Sequence, residues 1–216
     1  MLYPGILNQN QLDVVNRLDF GIKSRIYLAG GTALALYLNH RTSVDLDFYS
    51  EEEIDNNEVL IKLQKIFNNL TVKLHQKRTL FLTINEVDFS LFYYPYKLIR
   101  KTEKYKKIEI ASIEDVLAMK VGALVQRGKR RDFIDLYYLL QKFSLEEILK
   151  LTLKKFPGYQ EMLVLRALIF FEDAEDEDLQ RGIRIFDKNF SWKMAKEKIF
   201  DEVRKYQLSM INKPHL

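Results

Sequence analysis

The chain has 216 residues, 47% of them hydrophobic, enough for a sizeable core in one domain or two small ones. Lys and Arg number 34 against 30 Asp and Glu, and the resulting +4 assigns no nucleic-acid partner by itself. The absence of cysteine excludes a disulfide framework, thiolate metal sites and a cysteine nucleophile; the start of the chain lacks a signal-peptide pattern and no apolar stretch approaches the ~18 residues of a membrane span, so the expected location is the cytoplasm, with no membrane partner.

In chain order, Gln9 to Asp19 predicts a first helix, with Leu12, Val15 and Leu18 on its apolar face. Arg25 to Ala29 is a short apolar strand that runs into a tight turn at Gly30-Gly31. Thr32 to Asn39 predicts a helix, and Ser43 to Tyr49 alternates polar and apolar residues as a two-faced strand. An amphipathic helix over Ile54 to Leu70 follows, then strands at Val72–His75, Leu80–Ile84, Glu86–Phe92 and Lys107–Ile110. After Ser112 the pattern is helical, over about 113–126, 131–142, 144–155, 159–172 and 191–210. The acidic run ending at Asp178 reads as a solvated loop. The fold class is α/β (α+β): residues 1–111 form a mixed sheet flanked by helices, and residues 112–216 form a helical bundle.

Two features concentrate chemistry in the first half. A strand that ends in Gly-Gly and opens a helix presents backbone N–H groups at a helix N-terminus. That geometry attracts phosphate, and glycine permits close approach. The Thr32 hydroxyl adds a donor. Asp45 and Asp47, two apart on a strand, project to one face. Paired carboxylates suit hard cations such as Mg²⁺, and two metals can clamp an in-line phosphoryl displacement. Asp-x-Asp alone is weak, arising by chance roughly once per 250–300 positions at ordinary aspartate frequencies. A second copy, Asp176-x-Asp178, sits in the acidic loop without a strand or a glycine turn, and no chemistry is assigned to it.

Asp88 is the candidate third carboxylate, as metal ligand or general base, on a strand where it shares a face with Ser90. Glu86 is a weaker alternative on that face. In the helical half, Lys120 and Arg127 lie two turns apart, ahead of Gly128-Lys-Arg-Arg131, and these cations can neutralise a triphosphate. Asp132 and Asp135 share a helix face, one to cap or pair with Arg131 and the other to face the site. The basic run from Arg100 to Lys107 reads as a solvated loop rather than an RNA contact, and the aromatics of Tyr93-Tyr-Pro-Tyr96 as core rather than a base platform. His40, His75 and His215 lack metal-ligand spacing, so zinc is not expected. His40 and Arg41 are placed to line a nucleotide pocket.

Three motifs carry a resemblance: Ala29-Gly-Gly-Thr-Ala-Leu-Ala-Leu36, His40-Arg-x-Ser-x-Asp-Leu-Asp-Phe48, and Lys120 with Arg131-Asp-x-x-Asp-Leu-Tyr137. Together they resemble the AbiEii-type nucleotidyltransferases of the DNA polymerase beta-like superfamily, over residues 25 to 140. The resemblance implies a nucleotidyltransferase-type sheet, a nucleoside triphosphate donor and Mg²⁺, with Mn²⁺ as the alternative. It implies that Gly31 and Thr32 hold phosphate, that Asp45 and Asp47 hold metal, that Lys120 contacts the triphosphate and that Asp135 is catalytic. Beside it, the reading of the residues makes Gly30, Arg41, Ser43, Arg127 and Arg131 further candidate phosphate or nucleotide contacts and Asp88 the third catalytic and metal-binding candidate, with the helical half expected to complete the active site. Some members are toxins of toxin–antitoxin or abortive-infection systems, and some modify transfer RNA. The expected function is thus transfer of a nucleoside monophosphate to an RNA or protein hydroxyl, with an antitoxin as an expected partner. The alternative is a non-catalytic nucleotide- or RNA-binding module on the same scaffold.

Overall fold

The structure, a computed structural model, describes residues 2–175 and 183–211. The chain forms two compact units, Met1–Val116 with Gly182–Arg184, and Leu117–Arg181 with Ile185–Leu216. Asp176, Asp178 and His215 lie outside the described residues.

In the first unit, α1 (Gln9–Arg17) starts at a reciprocal cap. The Asn8 side chain accepts the Gln11 N–H at 2.8 Å, and the Gln11 side chain accepts the Asn8 N–H at 3.0 Å. Then come β1 (Tyr27–Leu28), α2 (Gly30–Leu38), β2 (Leu46–Ser50), α3 (Asn56–Ile66), β3 (Leu70–Gln76), β4 (Thr79–Ile84), β5 (Val87–Tyr93), β6 (Glu103–Tyr105) and β7 (Ile108–Ile110). The strands make one mixed sheet in the order β3-β4-β5-β2-β1-β7-β6. Central β2 runs antiparallel to β1 and parallel to β5, while β1 runs parallel to β7. Along β2, Leu46, Phe48 and Ser50 are buried while Asp47 and Tyr49 are half-exposed on the other face. Phe48 stacks on Phe89 at 5.2 Å beneath Phe20, and this face is the one buried against α1, α2 and α3.

Several sequence expectations shift in detail. The helix expected over 54–70 ends at Ile66, and Leu70 belongs to β3. The strand expected over 25–29 pairs only at Tyr27 and Leu28, and α2 begins at Gly30 rather than Thr32. The run over 100–107, expected as a loop, contains β6, which pairs with β7 across a two-residue turn. Lys106 takes φ 55° there. The glycine, asparagine or aspartate that normally marks such a turn is missing from the sequence, which hides the hairpin. Asn85 and Glu86 form the corresponding turn between β4 and β5 with φ 48° and 67°, and Asn85 Nδ2 donates to Asp13 at 2.8 Å.

The second unit holds α4 (Ile113–Arg127) beyond Val116, α5 (Arg130–Leu139), α6 (Leu145–Lys155), α7 (Glu161–Leu168), α8 (Glu172–Glu175) and α9 (Trp192–Ile211). The single helix expected over 159–172 stops at Leu168, because Ile169-Phe170-Phe171 favours helix weakly; part of the expected acidic loop forms α8. Gly122 lets α4 approach the Phe156 ring, since a Cβ there would lie 2.8 Å from it. Phe133, Phe171 and Trp192 cluster at 5.0–6.0 Å between ring centroids. Among the described residues no helix is long and apolar enough to cross a membrane.

At the start of α6, Ser144 Oγ accepts the Glu147 N–H at 3.2 Å, and Glu147 Oε2 accepts the Ser144 N–H at 2.8 Å. The Ser144 N–H and hydroxyl hold the Glu147 carboxyl below the usual carboxylate range. Ser144→Ala is expected to cost about 1 kcal/mol of stability, read as a lower urea midpoint. A lowered folded-state pKa stabilises above the unfolded value and is lost as pH falls through the folded value. The stability gap between wild type and Glu147→Gln should therefore be open at neutral pH and close below about pH 4, and a gap that persists in acid would argue against this cap.

Candidate active site

The glycine turn and β2 are locked together by short contacts. The Ala29 N–H donates to the Asp47 carbonyl at 2.9 Å. Gly30 follows with φ 68°, in the left-handed region where a side chain is strained. A Cβ on Gly30 would lie 2.9 Å from Asp47 Oδ2, so the carboxylate occupies the space that glycine leaves. A Cβ on Gly31 would lie 2.7 Å from Arg41 Nη2 and 3.3 Å from Ser43 Oγ. The two glycines serve different neighbours: one admits a carboxylate, the other a guanidinium. The first N–H groups of α2 have no partner within the helix, which leaves a partial positive charge beside the Asp47 carboxylate.

The Thr32 hydroxyl, expected to meet phosphate, is turned inward. Thr32 is 2% exposed and bonds Ser43 Oγ at 2.8 Å and the Asp45 carbonyl. Gln11 Nε2 donates to the Ser43 carbonyl at 3.0 Å. The Thr42 N–H donates to the Arg184 carbonyl at 2.9 Å, and Thr42 Oγ1 accepts the Arg184 N–H at 2.8 Å. Arg41 is buried, with Nη1 donating to the Thr42 carbonyl at 2.9 Å. Residues 41–45 are thus held at both ends before β2 begins, and Asp45 and Asp47 follow on a frame that cannot easily turn.

Asp88 stands one residue before Phe89 on β5, and Asp45 one residue before Leu46, just ahead of β2, where Leu46 pairs with Phe89. Its carboxylate meets Lys73 Nζ at 2.5 Å and Thr83 Oγ1 at 3.3 Å, and it is well exposed. Among the described residues no three His, Asp or Glu side chains gather as a metal site. Lys73 Nζ engages the Asp88 carboxylate, the third member expected with Asp45 and Asp47. The two remaining carboxylates still fit Mg²⁺, which commonly takes one or two protein carboxylates and completes its shell with water and substrate phosphate.

In the helical unit, Lys120 Nζ lies 2.8 Å from Asp132 Oδ1 and 2.6 Å from Asp135 Oδ2. All three residues are at most 6% exposed. Asp132 Oδ2 makes no hydrogen bond, and Arg127 Nε approaches it to 3.8 Å. Asp132 and Asp135, on one face of α5 as their i, i+3 spacing predicts, both reach Lys120, while Arg131 is half-buried.

The family model described as nucleotidyl transferase AbiEii toxin, type IV TA system, matches residues 15–110 and 94–205. An uncharacterized protein of Aquifex aeolicus is 34% identical over 178 residues, spanning 79% of this chain and 86% of that protein. JHP933 from Helicobacter pylori shares the fold with a TM-score of 0.56, at 19% identity over 98% of each chain. The nucleotidyltransferase toxin MenT4 from Mycobacterium tuberculosis does so with a TM-score of 0.52, at 14% identity over 88% of this chain and 79% of its own.

Gly30→Ala should destabilise by about 1–2 kcal/mol from backbone strain and displace Asp47, measured by chemical denaturation together with nucleotide transfer. Lys120→Met strands two buried carboxylates and should cost about 3–5 kcal/mol. Asp132→Asn leaves Lys120 paired with Asp135, so its cost should be clearly smaller; equal losses would rule out this charge arrangement.

Proposed function

This chain belongs to the AbiEii family of nucleotidyltransferases, and from that premise we propose that it transfers a nucleoside monophosphate from a nucleoside triphosphate to a hydroxyl of an RNA or protein acceptor. The acceptor oxygen attacks the α-phosphorus in line, the bond from that phosphorus to the bridging oxygen breaks, and pyrophosphate leaves. The observation that carries the reading is the Asp47 carboxylate seated against Gly30 at the N-terminus of α2, with Asp45 two residues before it, immediately ahead of β2. Phosphate oxygens and a cation-binding carboxylate pair then share one small volume.

Each residue's part follows from its surroundings. Asp45 and Asp47 would hold the divalent cation. Bound there, Mg²⁺, or Mn²⁺ in its place, supplies charge neutralisation at the transferring phosphate, and a second ion would extend the clamp to both oxygens. The N–H groups of Gly30 and Gly31 meet the phosphate, while Thr32, Ser43 and Arg41 act through the frame they build around those groups. Asp88, exposed and paired with Lys73, would accept the proton of the incoming hydroxyl. In the helical unit, Asp132 and Asp135 hold the Lys120 ammonium at one position.

The family description names a toxin of a toxin–antitoxin system, which supports a cytoplasmic enzyme restrained by an antitoxin. With Mg²⁺ and each α-labelled nucleoside triphosphate, the protein should label a component of total RNA or protein. Asp45→Asn and Asp47→Asn should each reduce labelling at least ~100-fold, as expected when an electrostatic anchor of the transition state is lost. Chelation of the metal should abolish it. Undiminished labelling by Asp47→Asn with an unchanged melting temperature would refute the assignment.

A further inference from the structure

The last helix of the second unit has two apolar faces. α9 packs on α5, α6 and α7, with Ala195, Ile199 and Val203 buried at four-residue spacing. Away from that face, Met194, Phe200, Leu208 and Ile211 are 43%, 49%, 50% and 75% exposed. A helix on the surface of a bundle needs one apolar face, and a second one is a surface that a partner can cover.

The order of residues along the second face says which partner. Met194, Glu197, Asp201, Arg204, Leu208 and Ile211 follow one another at steps of three, four, three, four and three, and all six are exposed. That repeat is the seam of a two-stranded coiled coil, here apolar at its ends and charged at its centre. Glu197 meets Lys193 at 3.8 Å; Glu202, outside the seam, meets Lys198 at 2.9 Å and Lys205 at 3.4 Å. Among the described residues, Asp201 and Arg204 enter no ion pair, so the two central charges of the seam are open.

These two charges make the seam complementary to itself in one direction only. A second copy laid antiparallel, about a twofold axis between residues 202 and 203, sets Asp201 against Arg204 twice. It also sets Met194 against Ile211, and Leu208 against the stem of Glu197. Laid parallel and in register, the second copy would oppose aspartate to aspartate and arginine to arginine. A different protein would require no such internal symmetry.

We propose that the outer face of α9 is a homodimer surface, on which two copies of this chain pair antiparallel through Met194, Asp201, Arg204, Leu208 and Ile211. Phe200, next to Asp201, adds apolar bulk along one flank. The surface is independent of the nucleotidyl-transfer reading. Two single helices about 30 Å long make a small interface, so the pairing is weak and follows protein concentration.

The test is sedimentation velocity on the full chain from the micromolar to the millimolar range. Wild type should pass from one copy to two. D201R and R204E each set like charges against one another at two places, and each should weaken dimerisation at least about 10-fold. The double variant D201R/R204E exchanges the charges and should return to within about 3-fold of wild type. The two single variants, mixed in equal amounts, should pair with each other although neither pairs with itself, because every charge then meets its opposite. Leu208→Glu should remove the dimer, and Met194→Glu, at the other end of the helix, gives the same reading if that variant folds poorly. A wild-type chain that stays a single copy at every concentration overturns the proposal and leaves the seam to a different helical protein. A dimer equally strong in D201R and R204E overturns it as well, and places the pairing elsewhere on the chain.

Discussion

The arrangement depends on one close approach: the Asp47 carboxylate lies where a side chain at position 30 would be. That contact requires a glycine with positive φ, and it requires β2 to return antiparallel to β1 in the register that sets Phe48 opposite Leu28. Once both hold, the open N–H groups of α2 and a carboxylate face one volume. Two carboxylates would repel in an apolar interior; beside a helix N-terminus and half-open to water they are tolerated. The Thr32, Ser43 and Asp45 hydrogen bonds then keep the turn and the strand from separating.

The helical unit solves a different problem. A lysine with at most one-tenth of its surface exposed must have its charge answered, and here two buried carboxylates answer it. Arg127 Nε approaches Asp132 to 3.8 Å. Such an arrangement adds little to stability compared with an apolar core, because desolvation offsets the attraction. What it does supply is a fixed position for an ammonium that would otherwise move on four flexible bonds.

Much of this was legible in the chain. The alternation from Ser43 to Tyr49 marks Asp45 and Asp47 as sharing a face, and Gly30-Gly31 after an apolar run marks the turn. The order of sheet and helices was readable because hydrophobic period changes from two to 3.6 near Ser112. The β6–β7 hairpin was hidden because its turn is Lys106-Lys107, and the break at Ile169 because apolar residues continue through it. Asp88 lies on the exposed face that its alternation predicts, but its Lys73 partner comes from another strand, and no local pattern announces that pairing.

The amino-acid sequence alone determined the local devices: a glycine turn, two carboxylates on one strand face, and a helix face carrying Asp132 and Asp135. These follow from backbone conformation and side-chain period, which are properties of a few consecutive residues. Only the tertiary structure decided which atoms meet. It turned the Thr32 hydroxyl inward to Ser43, gave Lys120 two buried aspartates, and lined up Tyr27, Tyr49, Phe92 and Phe81 from four different strands into one row. The physical reason is register: a shift of one residue between neighbouring strands would send each ring to the opposite face, and register is set by the packing of the whole sheet.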